Sequence, residues 1–427
     1  MDKREFWNEK VETLPIEKLR ELQNKRLQKA VEWAYEKTKY YKDLFDQTGI
    51  KPEDISSFDD LVKIPFTGDI ETDDVPLQDR IAVPEEKIRM YHSTSGTVGA
   101  VVPIPFTQKD EVTFFNEGEA RSRWTMGVRP ADVIQVLTRF DCCFLGYRAL
   151  GAASVLLSAG RYNEDHQIHL TKTAGVTVLE HMPSFLLGYL EKMEASGIKV
   201  SDTNLRLASG VGEGWAESYK RKVEQRFGIP FMTLYGAVEI SPFFAAECSD
   251  RNGLHVNADQ GMIEVIDPET GVRLPDGELG EIVVTMFQRE AMPLIRYRVG
   301  DMGSIMPYEP CKCGRTLPKI SYVKGRVSQR ISIAENNILP IDVEEVVAGF
   351  DEFGSEFRIV CEKPEMELLK LKVELKNDSK PGKALQKKVE EKIFNELGFN
   401  SNVEIVPQGS LNRVTFKAQR VELLYNT

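Results

Sequence analysis

The 427-residue chain is short of several things, and each shortage excludes a class of function. Basic residues do not predominate: 55 Lys and Arg stand against 66 Asp and Glu, a formal charge of −11, and no basic run carries interleaved aromatics. A polyanion would meet net repulsion, so neither nucleic acid nor an anionic membrane surface is expected as a main partner. Long apolar runs are also missing. The longest, Phe144 to Gly160, is broken by Arg148 and falls short of the roughly 20 residues that span a bilayer. The opening Met1-Asp2-Lys3-Arg4-Glu5 turns charged at once, without an apolar leader core. Cysteine is scarce, six residues in all, and a chain of this length buries cores without disulfides. Internal repeats and low-complexity segments are absent. A soluble, cytoplasmic protein of two or three domains is the expectation.

What is present begins with His92-Ser93-Thr94-Ser95-Gly96-Thr97-Val98-Gly99-Ala100, ahead of a strand-like Val101-Val102-Pro103-Ile104. Glycines let backbone N–H groups turn toward an anion, and the hydroxyls add donors, so the stretch reads as a phosphate-cradling loop. Alone, without the G-x-x-x-x-G-K-[ST] spacing or any lysine, a hydroxyl-rich turn is the plainer reading.

Ile16 to Phe45 carries apolar residues at helical spacing and predicts one amphipathic helix. From Asp110 to Met232, helical patterns alternate with apolar runs at Val133-Leu137, Val176-Leu179, Leu205-Ala208 and Phe231-Leu234, which predicts right-handed crossovers and a mainly parallel sheet. Ligands of such sheets sit where loops leave the strand ends, and Ser209 to Gly214 and Tyr235 to Glu239 are such loops. Met262-Ile266 and Glu281-Thr285, with turn-rich segments between, predict a small antiparallel subdomain. After Gly325-Arg326 the pattern is that of a compact α+β unit. Asp342 and Glu345 resemble a helix start, Phe357-Cys361 and Val403-Val406 are strand-like, Leu369 to Leu375 alternates, and Leu385 to Leu397 lines a helix stopped by Gly398.

Four constellations could carry chemistry. Cys311-Lys312-Cys313-Gly314 is a knuckle that can present two sulfurs to one ion; Cys248 and His255 complete a closed Cys3His set, which suits structural zinc, with ordinary buried residues as the alternative. Tyr235-Gly236-Ala237-Val238-Glu239 offers an aromatic face for a base and a carboxylate for magnesium, or merely a solvated strand end. Asp301, in a predicted Gly-Asp turn, could accept from ribose hydroxyls. Lys417, in Arg413 to Val421, could meet phosphate oxygens as charge builds, or simply be solvated. Phe140, Cys142, Phe144, Tyr147 and Pro242 flank these loops and are pocket or core residues.

In order along the chain, these segments resemble the phenylacetate-CoA ligase family of adenylate-forming enzymes. The resemblance includes the glycine-serine loop, Gly212-Glu213, Tyr235-Gly236 with Glu239, Glu247-Cys248, Gly253-Leu254-His255 and Leu274 to Glu281. It continues through Glu290 to Arg298 with Asp301, Cys311 to Arg315, Gly325-Arg326 and Lys417 to Val421.

The resemblance implies an α/β fold: a large N-terminal domain (1–325) with mainly parallel sheets and a small β-rich subdomain, then a small mobile α+β C-terminal domain (326–427). It implies that an aromatic or related carboxylic acid is activated by ATP as an acyl-adenylate and transferred to coenzyme A, with Mg2+ required and a homodimer expected. An acceptor other than coenzyme A, or a degenerate nucleotide- or acyl-CoA-binding protein, are alternative readings. By position, Ser93, Thr94, Ser95, Gly96, Thr97 and Gly99 would hold phosphates. Tyr235 and Gly236 would meet adenine beside Gly212-Glu213, and Glu239 would hold magnesium. Asp301 would take the ribose, Arg326 the nucleotide at the domain junction, and Lys417 would stabilise adenylation before the small domain rotates. The family loop continues Gly-Thr-Thr-Gly-Lys, whereas Val98 and Ala100 stand here, and Val327-Ser328-Gln329 and Glu335 depart from the hinge pattern.

Overall fold

A computed structural model describes residues 4–68, 74–94, 101–137, 143–155, 164–376, 382–412 and 420–425, the side chains of Cys143 and Phe144 excepted. Its contacts divide the chain into two units, Met1–Glu180 with Met232–Val323, and His181–Phe231 with Lys324–Thr427.

The first unit opens on α1 (Ile16–Lys37) and α2 (Lys39–Thr48), where one helix was predicted. The break is at Thr38, whose backbone is extended (φ −123°, ψ 139°) and whose hydroxyl accepts from Tyr41 N–H at 3.1 Å, capping α2. The apolar stripe still faces inward. Leu27, Val31, Ala34, Tyr41 and Phe45 form one core with Met262, Phe287 and Ile295.

Strands β1 (Ile88–Ser93) and β2 (Pro103–Thr107) pair antiparallel, Ser93 opposite Pro103. His92 and Ser93 therefore belong to a strand, not to the loop they were read into. The mouth of the hairpin is closed by Thr94: its N–H donates to Val102 O at 3.0 Å, and its hydroxyl accepts from Val102 N–H at 3.1 Å.

The parallel layer follows. β3 (Val133–Val136) pairs in parallel with β4 (Ala153–Val155) and with β5 (Val178–His181), two residues further along than the apolar run suggested. All four β5 residues are buried, as expected of a strand covered on both faces. The chain then enters the second unit through α3 (Pro183–Ala195), β6 (Leu207–Gly210) and α4 (Glu217–Phe227).

Back in the first unit, β7 (Phe231–Ala237), β8 (Ser241–Glu247) and β9 (Leu254–Val256) run antiparallel, continued by β13 (Lys319–Ile320) beyond the meander β10 (Gly261–Ile266), β11 (Gly280–Met286) and β12 (Tyr297–Gly303). The predicted antiparallel subdomain is this meander.

The remainder is the second unit. After β14 (Gly325–Arg326), β15 (Ile331–Ile333) and β16 (Asn336–Ile338) form a hairpin. Helix α5 (Pro340–Ala348) starts at the proline, with Asp342 in its first turn taking the Leu339 N–H at 2.9 Å; Asp342 supports the start from inside rather than preceding it. β17 (Phe353–Cys361) and β19 (Leu369–Leu375) are antiparallel, flanked in parallel by β21 (Val421–Leu423) and β20 (Ser401–Val406), with β18 (Glu365–Met366) beside β15. Helix α6 (Lys383–Leu397) ends at Gly398, φ +84°, and buries Val389 and Ile393 in the same core as Leu369, Leu371 and Val373. Among the described residues, no helix is long and apolar enough to cross a membrane.

Candidate functional site

In the first unit, β7 delivers Tyr235 buried, with its hydroxyl donating to Asp301 Oδ2 at 3.0 Å. Asp301 is not in a turn. It lies within β12, where the register against β11 shifts and Gly300 takes φ +80°, so a bulge aims it. Gly236 follows Tyr235 because nothing larger fits: a Cβ there would sit 2.3 Å from Ser241 O and 2.4 Å from Pro242 O. The same tight hairpin carries half-buried Glu239 in its turn. Two segments distant in sequence thus reduce to one hairpin and one bulge that hold an aromatic and a carboxylate together. Ser93 ends β1, exposed, and Thr94 is buried at the hairpin mouth. Ser95, Gly96, Thr97 and Gly99, with Val98 and Ala100, lie outside the described residues, as does Lys417.

Sequence reasoning passed over Arg289. It is 2% exposed, its Cζ lies 4.1 Å from the Phe106 ring centroid, and its Nε, Nη1 and Nη2 have no hydrogen-bond partner among the described residues. Burial pushes the guanidinium down to about 10, against the pull of Asp110 and Glu239. Gln288-Arg289-Glu290 reads as an ordinary polar turn, and no signal in the sequence marks Arg289. Tyr147 is buried with the Arg123 guanidinium 4.0 Å from its ring, so it reads as core; Phe140, Cys142 and the Phe144 side chain are not described.

In the second unit, Gly212 takes φ +88° and Glu213 accepts the Ser184 N–H at 2.6 Å, placing its carboxylate at the start of α3. Glu344 and Glu345 do the same for α4, accepting from Ala216 N–H at 2.9 Å and Ser218 N–H at 3.0 Å. Arg420 pairs with Glu344 at 3.0 Å beside a small cavity of about 80 Å³ lined also by Glu213, Trp215 and Lys324. Half-buried Arg326 has its N–H held by Gln329 Oε1 at 3.0 Å. His181, also missed by sequence reasoning, ends β5 stacked on Phe185 at 5.1 Å; its Nδ1 accepts the Met182 N–H, and burial pushes it down to about 3.

The four predicted metal ligands meet. Donor atoms of Cys248, His255, Cys311 and Cys313 all lie within 4.8 Å of one another. Cys248 Sγ is 3.6 Å from Cys311 Sγ, and Cys313 Sγ is 3.4 Å from His255 Nε2. His255 Nδ1 lies 2.9 Å from Leu317 O, which fixes the ring as a donor there and leaves Nε2 facing the sulfurs. Gly314, at φ +83°, closes the knuckle by donating to Cys311 O at 3.0 Å. The Cys248–Cys313 contact, then His255, draws the Cys313 thiol down, while the same contact and burial push the Cys248 thiol up. Cys361 is a buried strand residue, as read.

A family model for the AMP-binding enzyme matches residues 9–287, and one for the AMP-binding enzyme C-terminal domain matches 336–422. The phenylacetate-coenzyme A ligase of Thermus thermophilus is 31% identical, over 96% of this chain and 97% of that one; its counterpart in Aromatoleum evansii is 32% identical, over 97% and 96%. Among solved structures, a 2-hydroxyisobutyryl-CoA ligase in complex with 2-HIB-AMP has a similar fold, with a TM-score of 0.90 and 24% identity over 99% of this chain and 93% of that one.

Proposed function

The chain belongs to the phenylacetate-coenzyme A ligase family of AMP-binding enzymes, and from that premise we propose how its residues divide the work. It is an AMP-forming acid–thiol ligase. A carboxylate oxygen attacks the α-phosphorus of ATP, releasing pyrophosphate; the coenzyme A thiol then attacks the acyl carbon and AMP leaves. The acid is aromatic or a related organic acid.

The observation that carries the assignment of residues is the Tyr235–Asp301 hydrogen bond. It joins a ring able to stack on adenine to a carboxylate able to accept ribose hydroxyls. We assign adenine to Tyr235 with Gly236 and Gly212-Glu213, ribose to Asp301, and phosphates to Ser93, Thr94, Ser95, Gly96, Thr97 and Gly99. Arg326 is assigned to the nucleotide and Lys417 to the charge that builds at the α-phosphate. Half-buried Glu239 suits a hard cation: magnesium, when bound, would offset phosphate charge there.

Zinc fits the Cys3His donor set by ligand type and count, and the His255 Nδ1 bond to Leu317 O orients the ring for it. Its role is structural, tying the end of β8 and β9 to the 311–314 knuckle. The domain boundary is assigned to 325/326, the small domain being mobile, and the protein to a cytoplasmic homodimer.

The test is acid-dependent pyrophosphate release over a panel of aryl and aliphatic acids, with thioester formation followed with and without coenzyme A. No release with any acid would sink the reading; release without thioester formation would remove coenzyme A as acceptor.

A further inference from the structure

Arg289 has no part in the scheme above, yet its charged side chain is buried. All three of its nitrogens are buried and unbonded among the described residues, and Phe106 and Phe114 lie at 4.1 and 5.5 Å. Of the two acids whose charge acts on it, Asp110 is spent on other work. Asp110 accepts from Thr107 N–H at 3.0 Å, Thr107 hydroxyl at 3.2 Å, Glu290 N–H at 2.7 Å and Ala291 N–H at 3.0 Å. Glu290 accepts the Thr107 hydroxyl at 2.7 Å. The Asp110 carboxylate clamps the backbone just past Arg289, and the guanidinium's fork of five N–H donors has no hydrogen-bond partner among the described residues. A buried guanidinium without a partner is unfavourable, and a planar fork suits two oxygens of one phosphoryl or carboxyl group.

Two further observations point to the ligand. Phe106, against which the guanidinium sits, is on β2, whose antiparallel partner β1 ends at Ser93, assigned above to phosphate. Glu239, assigned above to magnesium, is one of two acids whose field reaches Arg289. We propose that Arg289 is an oxyanion-binding residue of the nucleotide site, its guanidinium taking phosphoryl oxygens of ATP. The proposal rests on the ATP-ligase reading, but the test separates the two.

Arg289→Met and Arg289→Lys are compared with wild type. Calorimetry measures ATP, AMP and inorganic tripolyphosphate, and pyrophosphate release gives KM for ATP and for the acid. Arg289→Met is expected to weaken ATP and tripolyphosphate by about tenfold or more, to change AMP by less than about threefold, and to leave KM for the acid nearly unmoved. Its ligand-free thermal midpoint should equal or exceed wild type, because an unpaired buried charge has gone. Arg289→Lys keeps the charge and should fall between the two. A lowered midpoint with unchanged tripolyphosphate affinity would make Arg289 a structural, water-satisfied residue and overturn the proposal. A rise in KM for the acid alone would assign the guanidinium to the carboxylate instead, also overturning it. If Arg289→Met does not fold, unchanged tripolyphosphate affinity in Arg289→Lys overturns it equally. Wild type that binds tripolyphosphate through Arg289 but releases no pyrophosphate would fail as a ligase while this assignment stands.

Discussion

Tyr235 and Asp301 share one hydrogen bond, but their roles separate on substitution. Asp301→Ala removes the carboxylate that would meet the ribose and should raise KM for ATP by about ten- to a hundredfold, on the order of 1.5–3 kcal/mol for hydrogen bonds to a charged group. Tyr235→Phe keeps the ring and should cost less; equal effects in steady-state kinetics would contradict the stacking role. His181 sets a pH dependence. Its folded value near 3 lies below the ordinary 6.5, so between those values the unfolded chain holds a proton the folded one refuses. Stability from this group is complete above about pH 6.5 and declines as pH falls toward 3. Thermal midpoints at pH 7.5 and 5 should therefore converge in His181→Phe, and an unchanged gap would mean other groups dominate. At this scale the ligand types were legible, since C-x-C-G with C-x6-H names a donor set. Arg289 was not, because nothing in its spacing tells that Asp110 is spent on backbone N–H groups.

Elements explain why particular residues are tolerated. A Cβ at Gly236 would strike the backbone of β8 at 2.3 Å, and the hairpin cannot yield without breaking its pairing. Gly236→Ala should lower stability by about 1–3 kcal/mol in denaturant unfolding, the usual range for overpacking. A cost near zero would mean the turn is looser than described. The knuckle has a separate consequence. If zinc ties β8 and β9 to 311–314, Cys311→Ser with Cys313→Ser should lose one equivalent of metal by elemental analysis and lower the thermal midpoint; metal-free wild type of unchanged stability would exclude that role. Periodicity made the regular elements readable, β19 from its alternation and α6 from its apolar face and Gly398. It failed where local geometry overrode it: Thr38 capped a second helix inside a continuous apolar stripe, and the bulge at Gly300 put Asp301 in a strand where a turn was expected.

For the whole molecule, the order of motifs along the chain was more informative than any single one. The glycine loop, Tyr235, Asp301 and the Cys3His set were each readable alone as ordinary structure, and their sequence pointed to the family to which the chain belongs. The partition of contacts was not legible, because His181–Phe231 joins Lys324–Thr427 through packing that no local pattern encodes. If Lys417 stabilises adenylation as proposed, the two half-reactions separate on it. Lys417→Ala should slow acid-dependent pyrophosphate release by about a hundredfold or more, as loss of a charge-stabilising group does, yet leave thioester formation from a supplied acyl-adenylate largely intact. The most direct test is pyrophosphate release by wild type with Mg-ATP over the acid panel. Release that requires one class of aryl or related acid, with stoichiometric AMP and thioester once coenzyme A is added, is the predicted result; ATP binding with no acid-dependent release would contradict it.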